Sequence, residues 1–208
     1  MKNILISTGG SGGHVKPALN LYEHLKNKFN VKVISDQRGE RFIDSDYQYE
    51  IFSIPNMNTF LILKPFIIIL YFFSIIKAFF WLKKLNTHIL ISTGGYMSVP
   101  FCIAAKFLKI KIYLFEPNMV LGRSNKLIIK YSEKILCYNS KIKNFPEKLK
   151  HKIFLIDTIL PKKIYSRKKN LEKNFDNQIK ILVLGGSQGA KFFDEFVVKL
   201  ILNLNNKI

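Results

Sequence analysis

With 208 residues, 48% of them apolar, the chain can bury a proper core and suits one domain or one and a fraction. Its two cysteines, Cys102 and Cys137, form neither a metal-ligand spacing nor a disulfide framework, which favours a reducing compartment. The formal net charge of +19 comes with few arginines and no recognition motif, so no nucleic-acid partner is expected.

The N-terminus runs straight into a strand, Asn3–Ser7, so no signal peptide is expected. Pro17–Phe29 then reads as a helix with Leu19, Leu21, Leu25 and Phe29 on its apolar face. Val31–Ser35 and Gln48–Ile54 read as strands. After a turn-rich stretch, Pro65–Lys84 reads as one long helix. His88–Ser92 is a strand, Pro100–Leu108 a helix, Lys111–Phe115 a strand, Arg123–Tyr131 a helix, and Lys134–Tyr138 and Lys152–Ile156 strands. This alternation predicts an α/β fold with a doubly wound parallel sheet. From Pro161 the chain turns polar and basic and resembles an interdomain linker. Ile179–Leu184 then reads as a strand and Ala190–Leu204 as a helix. One βα unit cannot bury both faces of its strand. The expected organisation is an N-terminal domain over 1–160, a linker over 161–178, and an incomplete second domain over 179–208. On that reading the sequence is truncated inside its second domain.

The long helix is apolar on all sides, from Phe66 to Trp81, and no acidic residue lies between Glu50 and Glu116. Lys64, Lys77, Lys83, Lys84, Lys106, Lys109 and Lys111 fall in that stretch. A lysine-biased proteome gives the same pattern. So does a helix whose outer face dips into an anionic headgroup layer. A transmembrane span is disfavoured, because Lys77 would lie within it and the strands on either side must share one sheet.

Two stretches are identical: Ile4-Leu5-Ile6-Ser7-Thr8-Gly9-Gly10 recurs as Ile89-Leu90-Ile91-Ser92-Thr93-Gly94-Gly95. A third relative, Ile181–Ser187, ends in Gly185-Gly186-Ser187. Each is an apolar run that stops at a glycine pair, as expected of a buried parallel strand that delivers a close-approach loop to a ligand. The first loop continues as Ser11-Gly12-Gly13-His14 and leaves bare amides at a helix start, a site for phosphate or developing anionic oxygen. A flexible turn needs fewer glycines. No Gly-Lys-Ser/Thr follows, so this is not a Walker loop. Asp36 ends the second strand, where a ribose-binding acid sits in dinucleotide enzymes. That rival stays open, although the last glycine of its fingerprint is missing. His14, at the helix start, suits proton transfer or hydroxyl positioning; its alternative is a capping or packing role. Glu116 and Asn118 end the strand at Lys111–Phe115 and would share the rim with His14, unless they only cap their loop.

Four segments together resemble MurG, the family of peripheral membrane glycosyltransferases of peptidoglycan synthesis. They are Gly9–Pro17, Gly94–Ser98, Glu116-Pro117-Asn118 with Gly122–Lys126, and Gly185–Ala190. The resemblance covers the chain from end to end. It implies a GT-B fold: a complete N-terminal Rossmann-like sheet plus the first βα unit of a second Rossmann-like domain. It implies inverting transfer of N-acetylglucosamine from UDP-N-acetylglucosamine to lipid I, an undecaprenyl-pyrophosphate muramoyl-pentapeptide, giving lipid II without a metal or cofactor. It places the enzyme on the cytoplasmic face of the bacterial inner membrane. The matching positions make His14 and Glu116 catalytic candidates. Ser11, Gly12, Gly13, Asn118 and Ser187 become donor contacts. Gly94, Gly95, Tyr96, Asn125, Gly186, Gln188 and Gly189 become further ligand-loop candidates. The chain departs from the family in three ways, the first being that most of the second domain is expected to be missing. Pro117 replaces a donor-bearing residue, and no arginine is carried over to 156–163. A second reading makes the chain the acceptor-binding, membrane-anchoring half of a split transferase that recruits a separate donor-domain polypeptide. On either reading, little transfer is expected from the chain alone.

Overall fold

The computed structural model describes residues 1–55, 64–165 and 190–205. It divides into two compact units, Met1–Arg167 and Lys168–Ile208.

In the first unit seven parallel strands form one sheet in the order β3-β2-β1-β4-β5-β6-β7. They are β1 (Asn3–Ser7), β2 (Asn30–Ser35), β3 (Tyr49–Ile51), β4 (Ile89–Ser92), β5 (Lys111–Glu116), β6 (Lys134–Cys137) and β7 (Ile153–Leu155). The strand order reverses between β1 and β4, so the loops leaving these two strands flank the crevice where open α/β sheets bind ligands. The identical stretches are these two strands, paired residue on identical residue: Ile4 with Ile89, Leu5 with Leu90, Ile6 with Ile91, Ser7 with Ser92.

Alternation along the strands splits the core in two. On one face Ile4, Ile6, Val31, Val33, Ile91 and Phe115 pack with Val15, Ala18, Leu19 and Tyr22 of α1 (Gly12–Leu25). On the other, Leu5, Ile34, Leu90, Ile112, Leu114 and Ile135 pack with α3 (Lys64–Lys84), α4 (Ser98–Phe107) and α5 (Arg123–Ile128). A short α2 (Gln37–Glu40) follows β2.

Several boundaries differ from the sequence expectation, each for a local reason. Helix α1 begins at Gly12 rather than Pro17, because the Ser11 carbonyl accepts from His14 N and Val15 N and closes the first turn on the glycines. It ends at Leu25, where Lys28 N and Phe29 N both turn back to the Leu25 carbonyl. Helix α5 tightens into a 3-10 turn at Ile129–Tyr131. The third strand is short, at Tyr49–Ile51. Beyond β7, Pro161 starts a polar stretch that nevertheless contains a small helix, α6 (Lys162–Tyr165). His24 of α1 lies 2.9 Å from the Leu160 carbonyl and meets the Tyr165 ring edge-on.

Helix α3 uses one stripe for the core. Ile67, Ser74, Ala78 and Leu82 are buried, and Tyr71, Ile75, Phe79 and Trp81 are half-buried against the same cluster. Its remaining surface exposes Phe66, Ile68, Ile69, Leu70, Phe72, Phe73, Ile76 and Phe80, with Lys77, Lys83 and Lys84 also outside. Phe66–Lys84 is the one helix among the described residues long and apolar enough to cross a membrane.

In the second unit, α7 (Ala190–Asn205) is the described element. The expected strand Ile179–Leu184 and the loop from Gly185 to Gly189 lie outside the described residues.

Candidate functional site

The sheet's carboxyl edge gathers three loops. The first runs from Thr8 to Gly12. Ser11 takes the N-cap position with extended backbone, and its hydroxyl makes no capping bond. The early amides of α1 are therefore not satisfied by a cap side chain.

The second loop, Thr93 to Met97, lies against the first. A Cβ at Gly95 would stand 2.7 Å from the Gly9 carbonyl oxygen, and one at Gly94 would stand 3.0 Å from both Cε1 and Nδ1 of His14. The absence of side chains is what lets the loops touch and the imidazole lie between them. His14 Nδ1 is 2.8 Å from the Thr93 carbonyl oxygen. A carbonyl only accepts, so Nδ1 carries the hydrogen and a neutral ring keeps its lone pair on Nε2. The loop is held from below by Ser98, whose hydroxyl donates to the Ser7 carbonyl at 3.1 Å and the Gly94 carbonyl at 2.7 Å. Tyr71 of α3 donates to the Tyr96 carbonyl at 3.0 Å, while the Tyr96 side chain itself is exposed.

The third loop joins β5 to α5. Glu116 is 1% exposed, yet its carboxylate has four donors, all from its own loop and the helix that follows. Oε1 accepts from Asn118 N at 3.3 Å and Asn118 Nδ2 at 2.9 Å. Oε2 accepts from Gly122 N at 2.7 Å and Asn125 Nδ2 at 3.1 Å. Such a set satisfies a buried carboxylate without a cation. Asn125, buried as well, reaches toward the second loop: its Nδ2 lies 3.8 Å from where a Cβ on Gly94 would be. Its Oδ1 has no hydrogen-bond partner, and neither do the buried hydroxyls of Thr8 and Thr93 at the base of the first two loops.

The structure thus brings His14, Gly94, Asn125, Glu116 and Asn118 together as neighbours, with Gly95 against the first loop. Ser11, Gly12 and Gly13 form the adjoining start of α1. Gly186, Ser187, Gln188 and Gly189 lie outside the described residues. Among the described residues no cluster of His, Cys, Asp or Glu could hold a metal ion.

Asp36 is not free to hold a ribose. It is buried, and both its oxygens are occupied by Gly10 N, Gly39 N and the Arg38 guanidinium. This removes the residue on which the dinucleotide reading rested. Sequence reasoning missed Arg38 and the Thr93 carbonyl. The Asp36–Gly39 spacing, an N-cap acid three residues before an amide it accepts from, was the available signal that Asp36 caps α2.

The doubly wound parallel sheet, with paired glycine loops at its switch point and a histidine on the helix start, is a Rossmann-like domain of the GT-B type. Residues 4–137 match the glycosyltransferase family 28 N-terminal domain. The chain belongs to that family. It is 48% identical, over 98% of its length, to a Pelagibacter ubique protein named UDP-N-acetylglucosamine--N-acetylmuramyl-(pentapeptide) pyrophosphoryl-undecaprenol N-acetylglucosamine transferase. A Rickettsia felis protein of the same name is 32% identical over the whole chain. The chain spans 57% and 59% of these two relatives. The crystal structure of Acinetobacter baumannii MurG superposes with a TM-score of 0.70 and 24% identity, over 94% of this chain and 55% of that one.

Proposed function

We propose that the chain forms the acceptor-binding part of an inverting transferase that moves N-acetylglucosamine from UDP-N-acetylglucosamine to lipid I, giving lipid II. The observation that carries this reading is the imidazole of His14 held between two glycine loops at the switch point, in a chain of this family. With Nδ1 donating to Thr93, Nε2 is the atom that takes the proton of the attacking sugar hydroxyl as the new glycosidic bond forms, the anomeric carbon–oxygen bond of the donor breaks and UDP leaves. The amides at the start of α1 bind the anionic phosphate portion of a substrate, and Ser11, Gly12, Gly13 and Asn118 contact the donor. Glu116 is best read as a positioning residue, since its four donors fix Asn118 and Asn125 around the loop. Ser187, Gly186, Gln188 and Gly189 remain part of the proposed donor side.

The test is a chimera in which residues 1–165 replace the matching part of the Pelagibacter relative. Given UDP-N-acetylglucosamine and a lipid I analogue, it is expected to form the disaccharide product. His14→Ala should lower its turnover about 10²–10⁴-fold, the usual loss for a general base, with donor KM changing far less. A folded chimera with no transfer would exclude the reading. A His14→Ala variant with unchanged turnover would reduce the histidine to packing.

The outer face of α3 supports a peripheral position on an anionic membrane, at the cytoplasmic face of the bacterial inner membrane. Eight large apolar side chains stand outside on that helix beside Lys77, Lys83 and Lys84. A span would need the buried stripe from Ile67 to Leu82 to leave the core.

A further inference from the structure

The first glycine loop carries no cationic side chain between Thr8 and Gly13, although the group assigned to it is an anion. We propose that Arg38 supplies this charge. It contacts the phosphate or pyrophosphate group bound at the start of α1, and Asp36 is its positioning residue. The inference rests on the reading of that loop given above.

Four observations carry it. First, Asp36 ties the loop to α2: its Oδ1 accepts from Gly10 N and from Gly39 N, both at 2.8 Å. The space this carboxylate needs is kept by a missing side chain, since a Cβ at Gly9 would lie 2.9 Å from Oδ1. Second, Asp36 Oδ2 accepts from Arg38 Nε at 3.2 Å and Nη2 at 3.1 Å, which uses one edge of the guanidinium. The group has five N–H donors, so its other edge keeps three. Arg38 remains 58% exposed while Asp36 is 7% exposed at the side chain, so the carboxylate is covered and the cation faces solvent. Third, Arg38 Nη2 stands 4.0 Å from where a Cβ at Gly10 would be, beside the loop. The Phe42 ring, further along the same segment, comes within 3.2 Å of a Cβ placed at Gly12. The segment from Asp36 to Phe42 therefore walls the flank of the loop. Fourth, the Thr8 and Thr93 hydroxyls at the base of the loops are buried without a partner, as expected beside a site that takes a polar ligand.

An arginine already fixed by a carboxylate loses little further freedom on binding. Its planar fork suits two oxygens of a phosphate. Asp36 turns its oxygens inward onto two backbone amides and the guanidinium, so the pair presents the free guanidinium N–H donors, and no carboxylate oxygen, to the anion.

The full chain is titrated by calorimetry with inorganic pyrophosphate, farnesyl pyrophosphate and UDP-N-acetylglucosamine. Arg38→Ala is expected to weaken pyrophosphate binding about 10–100-fold, the range for a lost charge-assisted contact. Arg38→Lys should fall between, keeping charge without the fork. Arg38 is exposed, so neither change threatens the fold. Asp36→Asn should also weaken binding and reduce hydrogen-exchange protection of the Gly10 amide. A loss confined to farnesyl pyrophosphate assigns the contact to a lipid-linked pyrophosphate, and one confined to UDP-N-acetylglucosamine to the nucleotide. Unchanged affinity of Arg38→Ala for every probe overturns the proposal and leaves the loop reading standing. Failure of the unsubstituted chain to bind any probe removes the loop reading, and the proposal with it.

Discussion

Gly94 and Gly95 have backbone φ of +99° and +85°, a region that L side chains adopt only at a cost. Both also border atoms that leave no room for a Cβ. Alanine at the two positions is predicted to act differently. At Gly95 the new methyl meets the Gly9 carbonyl, which is backbone and cannot swing away. Gly95→Ala should therefore lower stability by about 1–3 kcal/mol, read as an earlier urea midpoint. At Gly94 the methyl meets a side chain, the His14 ring. Gly94→Ala should cost less stability, since the ring can rotate, but should cut turnover of the active chimera as deeply as loss of His14. Equal effects on stability with no loss of turnover at Gly94 would show that the imidazole is not held where it acts. The two cysteines give a check on burial. Desolvation pushes both the Cys102 and the Cys137 thiols up to about 12, and neither side chain reaches solvent. Iodoacetamide at pH 8 should leave both unmodified in the folded chain and alkylate both in urea, because the thiolate is the reacting form. Rapid labelling of the native protein would contradict the packing around β6 and α4.

Helix α3 shows how one element serves two surroundings. Leu82 is fully buried, so Leu82→Ala should destabilise by about 2–5 kcal/mol. Phe72 and Phe73 stand outside, and changing both to Ser should leave the unfolding midpoint nearly unchanged. The same double change should lower binding to vesicles containing anionic lipid, and salt should weaken what binding remains. Release of the unsubstituted chain by high salt or carbonate is the expected outcome; resistance to both would mean that the helix spans the bilayer. The strands around α3 were legible because a strand buried on both faces is a continuous apolar run. Loop positions were legible because paired glycines have few other uses. The start of α1 was not, since proline marks a first turn more often than a second, and here it falls in the second. The bond from Gly10 to Asp36 was also hidden: it is made by the pairing of β1 with β2, which no local pattern encodes.

At the scale of the whole molecule, the repeated heptapeptide has a further consequence for how the chain finds its fold. Strands β1 and β4 are third and fourth of the seven in the sheet and share the letters Ile-Leu-Ile-Ser, residue opposite identical residue. Apart from Asn3, whose side-chain oxygen accepts from Asn30 of β2 at 3.1 Å, nothing within the strands tells β2 which copy to accept on its flank, nor β5 which copy to accept on the other. The two addresses are degenerate, and a chain with exchanged central strands would form the same ladder bonds and much of the same apolar contact. Discrimination falls to what is attached to each copy: a glycine-led amphipathic helix after the first, the α3 crossover before the second and the apolar α4 after it. Sheet assembly here is therefore decided by the connections and by one residue, Asn3, rather than by the shared strand letters. The exchanged pairing is the competing minimum that the connecting helices must disfavour.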